Sequence, residues 1–287
     1  IVKSPCAEYP ADFTGGFIQI NTKDIPVRNT LSLSLGGNWN DATCFRNFKH
    51  ADHSSSFPND GNVGLLGSGL LNDWRVKTKT PIADIKASAD WSHKWHINGM
   101  SVGMVGTLNY TSETRTYKDM QNNLFGVYDI TNDRSNYLRN STDNQYNDNK
   151  RLGALLNLAL LSKSGNNKYE LKNIFNRIDN NRYTDRSGVN AQSDNEIGAE
   201  YYYRSRTTTN TQLTGKHTLP HDLLEWDLSY SYANRRMPDR KHYTIDDALE
   251  HGTMILTAGN EINREFTKLD NHTDRKSGSA GMPRPNS

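Results

Sequence analysis

Apolar and polar residues alternate with period two along most of this chain, and the alternation comes in segments of about ten residues. In residues 29–39, Leu31, Leu33, Leu35, Gly37 and Trp39 share one parity, with Thr30, Ser32, Ser34 and Asn38 on the other. In residues 81–95, Ala83, Ile85, Ala87, Ala89, Trp91 and Trp95 oppose Asp84, Lys86, Ser88, Asp90, Ser92 and Lys94. Met100, Val102, Met104, Gly106, Leu108 and Tyr110 follow, then Leu152, Ala154, Leu156, Leu158 and Leu160 in residues 151–161. A fifth segment, 168–178, is less regular because Asn173 interrupts Tyr169, Leu171 and Phe175. A threonine-rich sixth covers 201–219, and a seventh places Leu224, Trp226, Leu228, Tyr230 and Tyr232 against Glu225, Asp227, Ser229 and Ser231. Strict alternation is the mark of strands with one apolar face, so the pattern predicts seven strands and an all-β chain.

The connections alternate in length. Asn98-Gly99, Ser164-Gly165-Asn166-Asn167 and Leu219-Pro220-His221-Asp222 read as tight turns. Residues 40–80, 111–150, 179–200 and 234–270 read as long polar loops, with a short helix near Asp246 to Glu250. Ten-residue strands joined alternately by short turns and long loops are the signature of a transmembrane antiparallel β-barrel. Soluble strands average about 5–6 residues. Aromatic residues near strand ends, Trp39, Trp91, Trp95, Tyr110, Tyr169, Trp226 and Tyr232, suit interfacial girdles. On this reading Leu33, Leu35, Met104, Leu156, Leu158 and Leu228 face lipid, while Ser34, Lys86, Asp90, Asn157 and Asp227 face the lumen. A soluble β-sandwich or lipocalin-like barrel alternates in the same way and stays open as an alternative.

Composition narrows the function classes. In 287 residues the net charge is only +2 and charged residues make up 23%, without the concentrated basic patch of a nucleic-acid binder. The mean hydropathy of −0.84 is compatible with strands that are apolar on one face only. No run reaches the about 18 apolar residues that a membrane helix needs. The two cysteines, Cys6 and Cys44, read as unpaired thiols, with a disulfide in an oxidising compartment as the alternative that spacing does not decide. His50-x-x-His53 beside Asp52 is too little for a metal site, and Gly67-Ser68-Gly69 lacks the third glycine of a dinucleotide loop. No triad or phosphate loop stands out, so neither an enzyme nor a cofactor is expected. Asn109, Asn140 and Asn271 match the glycosylation pattern, which is read as incidental.

Before the first strand stands Gly15-Gly16-Phe17-Ile18-Gln19-Ile20-Asn21-Thr22-Lys23. The glycine pair permits a close backbone approach or tight turn, and the following residues alternate. This run resembles the closing segment of the plug domain in TonB-dependent outer-membrane receptors, which ends just before the first barrel strand. Gly15, Gly16, Ile18, Ile20, Thr22 and Lys23 carry the resemblance; Phe17 stands where the family often has a smaller residue. The resemblance covers about the first 28 residues. It implies that residues 1–28 end a plug, 29–235 are the first seven strands of a barrel of about 22, and 236–287 are an external loop and a truncated tail. It implies a fragment of a bacterial outer-membrane transporter whose TonB-contacting segment precedes residue 1.

The partners implied are the TonB complex, outer-membrane lipid, a surface lipoprotein and a small-molecule, glycan or peptide ligand. Ligand capture is expected in the loops, at Phe45, His50, His53 and Trp74 in the first and Tyr117, Phe125, Tyr128 and Tyr137 in the second. Aromatic faces beside amides and charges bury area while keeping polar handles. A passive porin or structural barrel is the alternative, distinguished by lacking a plug; a soluble ligand-binding β-domain is the third reading.

Overall fold

A computed structural model describes residues 25–53, 73–191, 193, 195–246 and 261–281. The plug-like run Gly15 to Lys23 lies outside the described residues. Ten strands are present: β1 (Thr30–Asn38), β2 (Phe48–Ala51), β3 (Val76–Lys79), β4 (Asp84–Ile97), β5 (Met100–Asp129), β6 (Arg134–Leu161), β7 (Asn167–Asn190), β8 (Asn195–Thr218), β9 (Leu223–Asp246) and β10 (Glu261–Gly281). Eight of them form one antiparallel sheet in the order β1-β4-β5-β6-β7-β8-β9-β10, and β2 pairs with β3 separately. The large sheet is open, with β1 and β10 as its edges.

The strands are far longer than the hydrophobic pattern indicates. β5 has 30 residues, about 100 Å at ~3.4 Å per residue. The supposed loop 111–150 is the far half of a hairpin that turns only at residues 130–133, where the Asp129 carboxylate accepts bonds from the Thr131 and Asn132 amides. The supposed loop 179–200 is likewise the continuation of β7 and β8. Residues 234–270, expected as a loop with a short helix, contain the end of β9 and the start of β10; the helix near Asp246 to Glu250 falls almost wholly outside the described residues. The tail that follows is mostly β10, so the sheet has eight strands rather than seven. The reason is chemical. In these extensions both faces are polar, so hydropathy stops alternating, while the backbone ladder continues without a break from Leu161↔Lys168 to Arg139↔Asn190.

The short turns occur where φ can be positive. Asn98 (φ 50°) and Gly99 (φ 83°) join β4 to β5, and Gly165 (φ 77°) lies between β6 and β7. These two turns and Leu219–Asp222 share one end of the sheet, because successive hairpins of an antiparallel meander alternate ends and these are every second connection. At the opposite end, β9 carries Pro238. Register shifts bracket it on both sides, between Tyr201 and Ser205 and between Glu265 and Thr267. Proline cannot donate to a ladder, and within a central strand it is found at bulges.

Register brings the apolar residues together. Met104, Leu158, Leu171, Leu213 and Leu228 are successive partners across β5 to β9 and form one row on one face. Leu31, Leu33, Leu35, Ile85, Leu108 and Leu156 share that face, and they are exposed, Leu33 to 74% and Leu35 to 82%. The opposite face buries Asn157, Ala159 and Glu170. Trp226 lies across Gly215, its register partner, and donates from Nε1 to His217 Nε2 at 3.0 Å. A Cβ on Gly215 would fall inside van der Waals contact with the Trp226 ring. Gly215→Leu is therefore expected to destabilise by about 1–3 kcal/mol through overpacking. Gly215→Leu with Trp226→Ala should be less damaging than Gly215→Leu alone, and an equal loss in a denaturation series would contradict the contact.

Candidate ligand-binding cleft

The excursion between β1 and β4 is a strap folded onto the sheet. Its base is tied to β5: the Thr116 amide donates to Thr43 Oγ1 at 2.8 Å, and buried Asp84 accepts from the Thr114 amide at 2.9 Å and from Arg115 Nη1 at 2.5 Å. Beyond that, Phe48 and Ala51 pack with Tyr146, Tyr183, Ala199 and Tyr201, flanked by Trp74 and Tyr243. Phe48 meets Tyr146 edge-on at 5.6 Å, and Trp74 meets Tyr201 edge-on at 5.5 Å. Ion pairs frame the cluster, Lys49 to Asp185 at 2.6 Å and Lys79 to Asp148 at 2.5 Å. Lys241 is buried, 1% exposed, with Nζ donating to the Asp73 carbonyl and lying 5.1 Å from the Trp74 ring. Desolvation pushes its pKa down.

This arrangement places the sequence candidates. Trp74 sits in the strap's aromatic cluster, and His53 stacks on the Tyr203 ring at 3.6 Å. His50 lies on β2 with Nδ1 buried and without a hydrogen-bond partner. Phe45 is exposed at the strap's base, with φ 59°. The second group is elsewhere. Phe125 and Tyr137 pair at 4.9 Å near the tip of the β5–β6 hairpin, Tyr128 donates to Asp133 at the turn, and Tyr117 is exposed lower on β5. The two groups do not meet in one site. Cys44 is a buried free thiol; Cys6 lies outside the described residues. Among the described residues no cluster of metal-ligating side chains occurs, and no helix is long and apolar enough to cross a membrane.

Burial first, then nearby Lys79, lowers the His50 pKa below its usual 6.5. With the folded value depressed, the unfolded strap binds more protons between the two values. Docking is therefore weakened as the pH falls through about 6.5 and is at full strength above it. An imidazole NMR titration of His50 should give a midpoint below 6.5, and a midpoint at or above it would refute the buried setting.

The opposite face of the same strand extensions carries residues that hydropathy did not single out. There Asp143, Gln145, Arg182, Thr184, Arg186, Gly198, Glu200, Arg240 and His242 line a cleft of about 380 Å³. Arg186 grips Asp143 with both fork positions, Nε to Oδ1 at 2.7 Å and Nη2 to Oδ2 at 2.9 Å. Asn122 donates to Asp143 at 2.7 Å and accepts from Arg139 at 3.0 Å. Glu200 lies between two arginines, accepting from Arg182 at 2.6 Å and from Arg240 at 2.7 Å, and Arg240 reaches on to Glu265 at 2.9 Å. Arg182 also stacks over the Tyr202 ring at 4.6 Å. Burial alone would push the Asp143 carboxyl up, but the Arg186 fork and the Asn122 amide outweigh it and hold its pKa below the ordinary range.

Three arginines face two carboxylates in the lining, and Glu265 at its edge pairs with Arg240. Arg182 Nε is buried with no acceptor. Paired charges hold one another in place, so the cleft is pre-organised and offers donors to a ligand rich in acceptor oxygens. The signal was present in the sequence as alternation of charge, Arg182, Thr184 and Arg186 on one strand and Gly198, Glu200 and Tyr202 on the next. It needed the register to be seen as one site. No protein-family model matches the chain, and neither curated proteins nor solved structures give a match.

Proposed function

We propose that this chain is part of the wall of a TonB-dependent outer-membrane receptor that takes up a polar nutrient ligand, with the eight-stranded sheet one arc of a closed transmembrane barrel. The observation that carries this reading is the row Met104, Leu158, Leu171, Leu213 and Leu228, in register on one face of β5 to β9 near the short turns, in strands that run far beyond it. The leucine span of β6, Leu152 to Leu160, is nine residues, and a transmembrane β-strand needs about 9–11. The exposed face is then the lipid face, the long hairpins are external, and the short turns face the periplasm. The charged cleft lies on the lumenal side of the external hairpins, where a siderophore, glycan or peptide would be met before the plug. The energising partner is the inner-membrane TonB complex, and a surface lipoprotein would share the external hairpins.

The test uses the full-length protein in a gram-negative host. It should be recovered in the outer-membrane fraction and migrate faster on gels unheated than boiled. Ligand uptake should stop when the TonB complex is deleted. Uptake that persists without the complex would identify a passive porin, and recovery in the soluble fraction would identify a soluble β-domain.

A further inference from the structure

Directly above the leucine band, on the same face, runs a row of cations outside the ion pairs of the strap and the cleft, with the strap's His53 stacked on Tyr203 at its edge. Along β9 this face reads Leu224, Trp226, Leu228, Tyr230, Tyr232, Asn234 and Arg236. Across the neighbouring strands, Asn234 pairs in register with Thr207, Thr207 with Arg177, and Ser205 with both Arg236 and Asp179. Asp179 in turn pairs with Lys150, and Arg236 with Lys268. Arg177, Tyr203, Thr207, Tyr232, Asn234 and Arg236 line a groove of about 410 Å³. Four cations, Lys150, Arg177, Arg236 and Lys268, face two carboxylates. Arg177 is held by Asp179 at 3.1 Å, and Lys268 by Asp270 at 3.1 Å. Arg236 and Lys150 are exposed and form no ion pair with any described residue.

We infer that this groove binds the phosphate-bearing headgroup of a lipid in the leaflet on the side of the long hairpins. The inference rests on the membrane reading above. Height decides it. Arg236 is eight residues beyond Leu228, about 27 Å along the strand and, at a tilt of about 40°, about 21 Å above the middle of the band. Headgroups extend to about 20–22 Å from the bilayer centre. Lower on the same face, about 10 Å above the middle of the band, the Tyr232 and His272 rings lie 4.8 Å apart. A charge surplus of two at headgroup height, with Arg236 and Lys150 unpaired beside the Thr207 hydroxyl, fits an anion carrying several oxygens.

The experiment is native mass spectrometry of the full-length protein in detergent, titrated with bisphosphorylated lipid A, its dephosphorylated form, or inorganic phosphate. The expected result is retention of the bisphosphorylated lipid, much weaker retention of the dephosphorylated one, and no displacement by inorganic phosphate in large excess. Arg236→Gln with Lys150→Gln should weaken retention about 25-fold, at about fivefold for each cation. Asp179→Asn, which removes a competing carboxylate, should strengthen it. Equal retention by the double variant, equal binding of the dephosphorylated lipid, or displacement by inorganic phosphate would each overturn the inference. If the double variant does not fold, Asp179→Asn decides alone, and unchanged or weaker retention overturns it. Failure of the membrane reading is separate, since it appears as recovery of the wild type in the soluble fraction.

Discussion

On the proposed membrane reading, Leu156→Arg is expected to lower stability by about 2–4 kcal/mol, the cost of a cation at the middle of a bilayer on the lipid face of a barrel. Leu156 lies in mid-band on β6, is 42% exposed, and pairs with Gly106 on β5 and Asn173 on β7. Gly106 offers no side chain to shield the guanidinium. The same change at Asp90, on the opposite face of β4, should cost much less, because that wall is already polar. Denaturant titration in lipid vesicles measures both. Equal losses would mean that the exposed leucines do not contact lipid, and an unaffected Leu156→Arg variant would remove the band as support for the membrane reading.

Asp143→Leu is expected to cost about 3 kcal/mol or more, because it strands the Arg186 guanidinium in a half-buried cleft. Breaking one side of a buried pair typically costs about 3–5 kcal/mol. The Asp143 side chain is only 9% exposed and also holds Asn122. The loss should be local, so hydrogen exchange should accelerate in the extensions of β5, β6 and β7 while the band strands stay protected. Asp143→Leu with Arg186→Leu should restore part of the protection, since no unpaired charge remains. If the single and double variants exchange equally fast, the pair does not organise the cleft. Acid should reproduce the effect with a defined sign. The folded Asp143 pKa lies below its unfolded value, so the pair's contribution is fully present above about pH 4 and is lost as the pH falls further, through the folded pKa. Between about pH 5 and neutrality, protection in the cleft relative to the free peptide should not change.

The sequence by itself determined the part of the fold where one face is apolar and the other polar. Leu31, Leu33 and Leu35, and Leu152, Leu156, Leu158 and Leu160, recur at even spacing. The turns at Asn98-Gly99 and Gly165 were legible for a related reason, since few residues tolerate positive φ. Hydropathy could not see the far halves of β5 to β9, because polar residues on both faces carry no periodic signal. There the strands are held by the continuous ladder and by cross-strand pairs such as Asp143 with Arg186. Residues 40–80 misled in another way. Their aromatic content suggested exposed recognition, but Phe48 and Trp74 are covered by Tyr146, Tyr183 and Tyr201, which are distant in sequence and adjacent only through register. The cleft and the cationic row were likewise decided by tertiary structure alone. Each takes a few residues from each of several strands, and a site assembled across a sheet has no contiguous motif for a sequence to display.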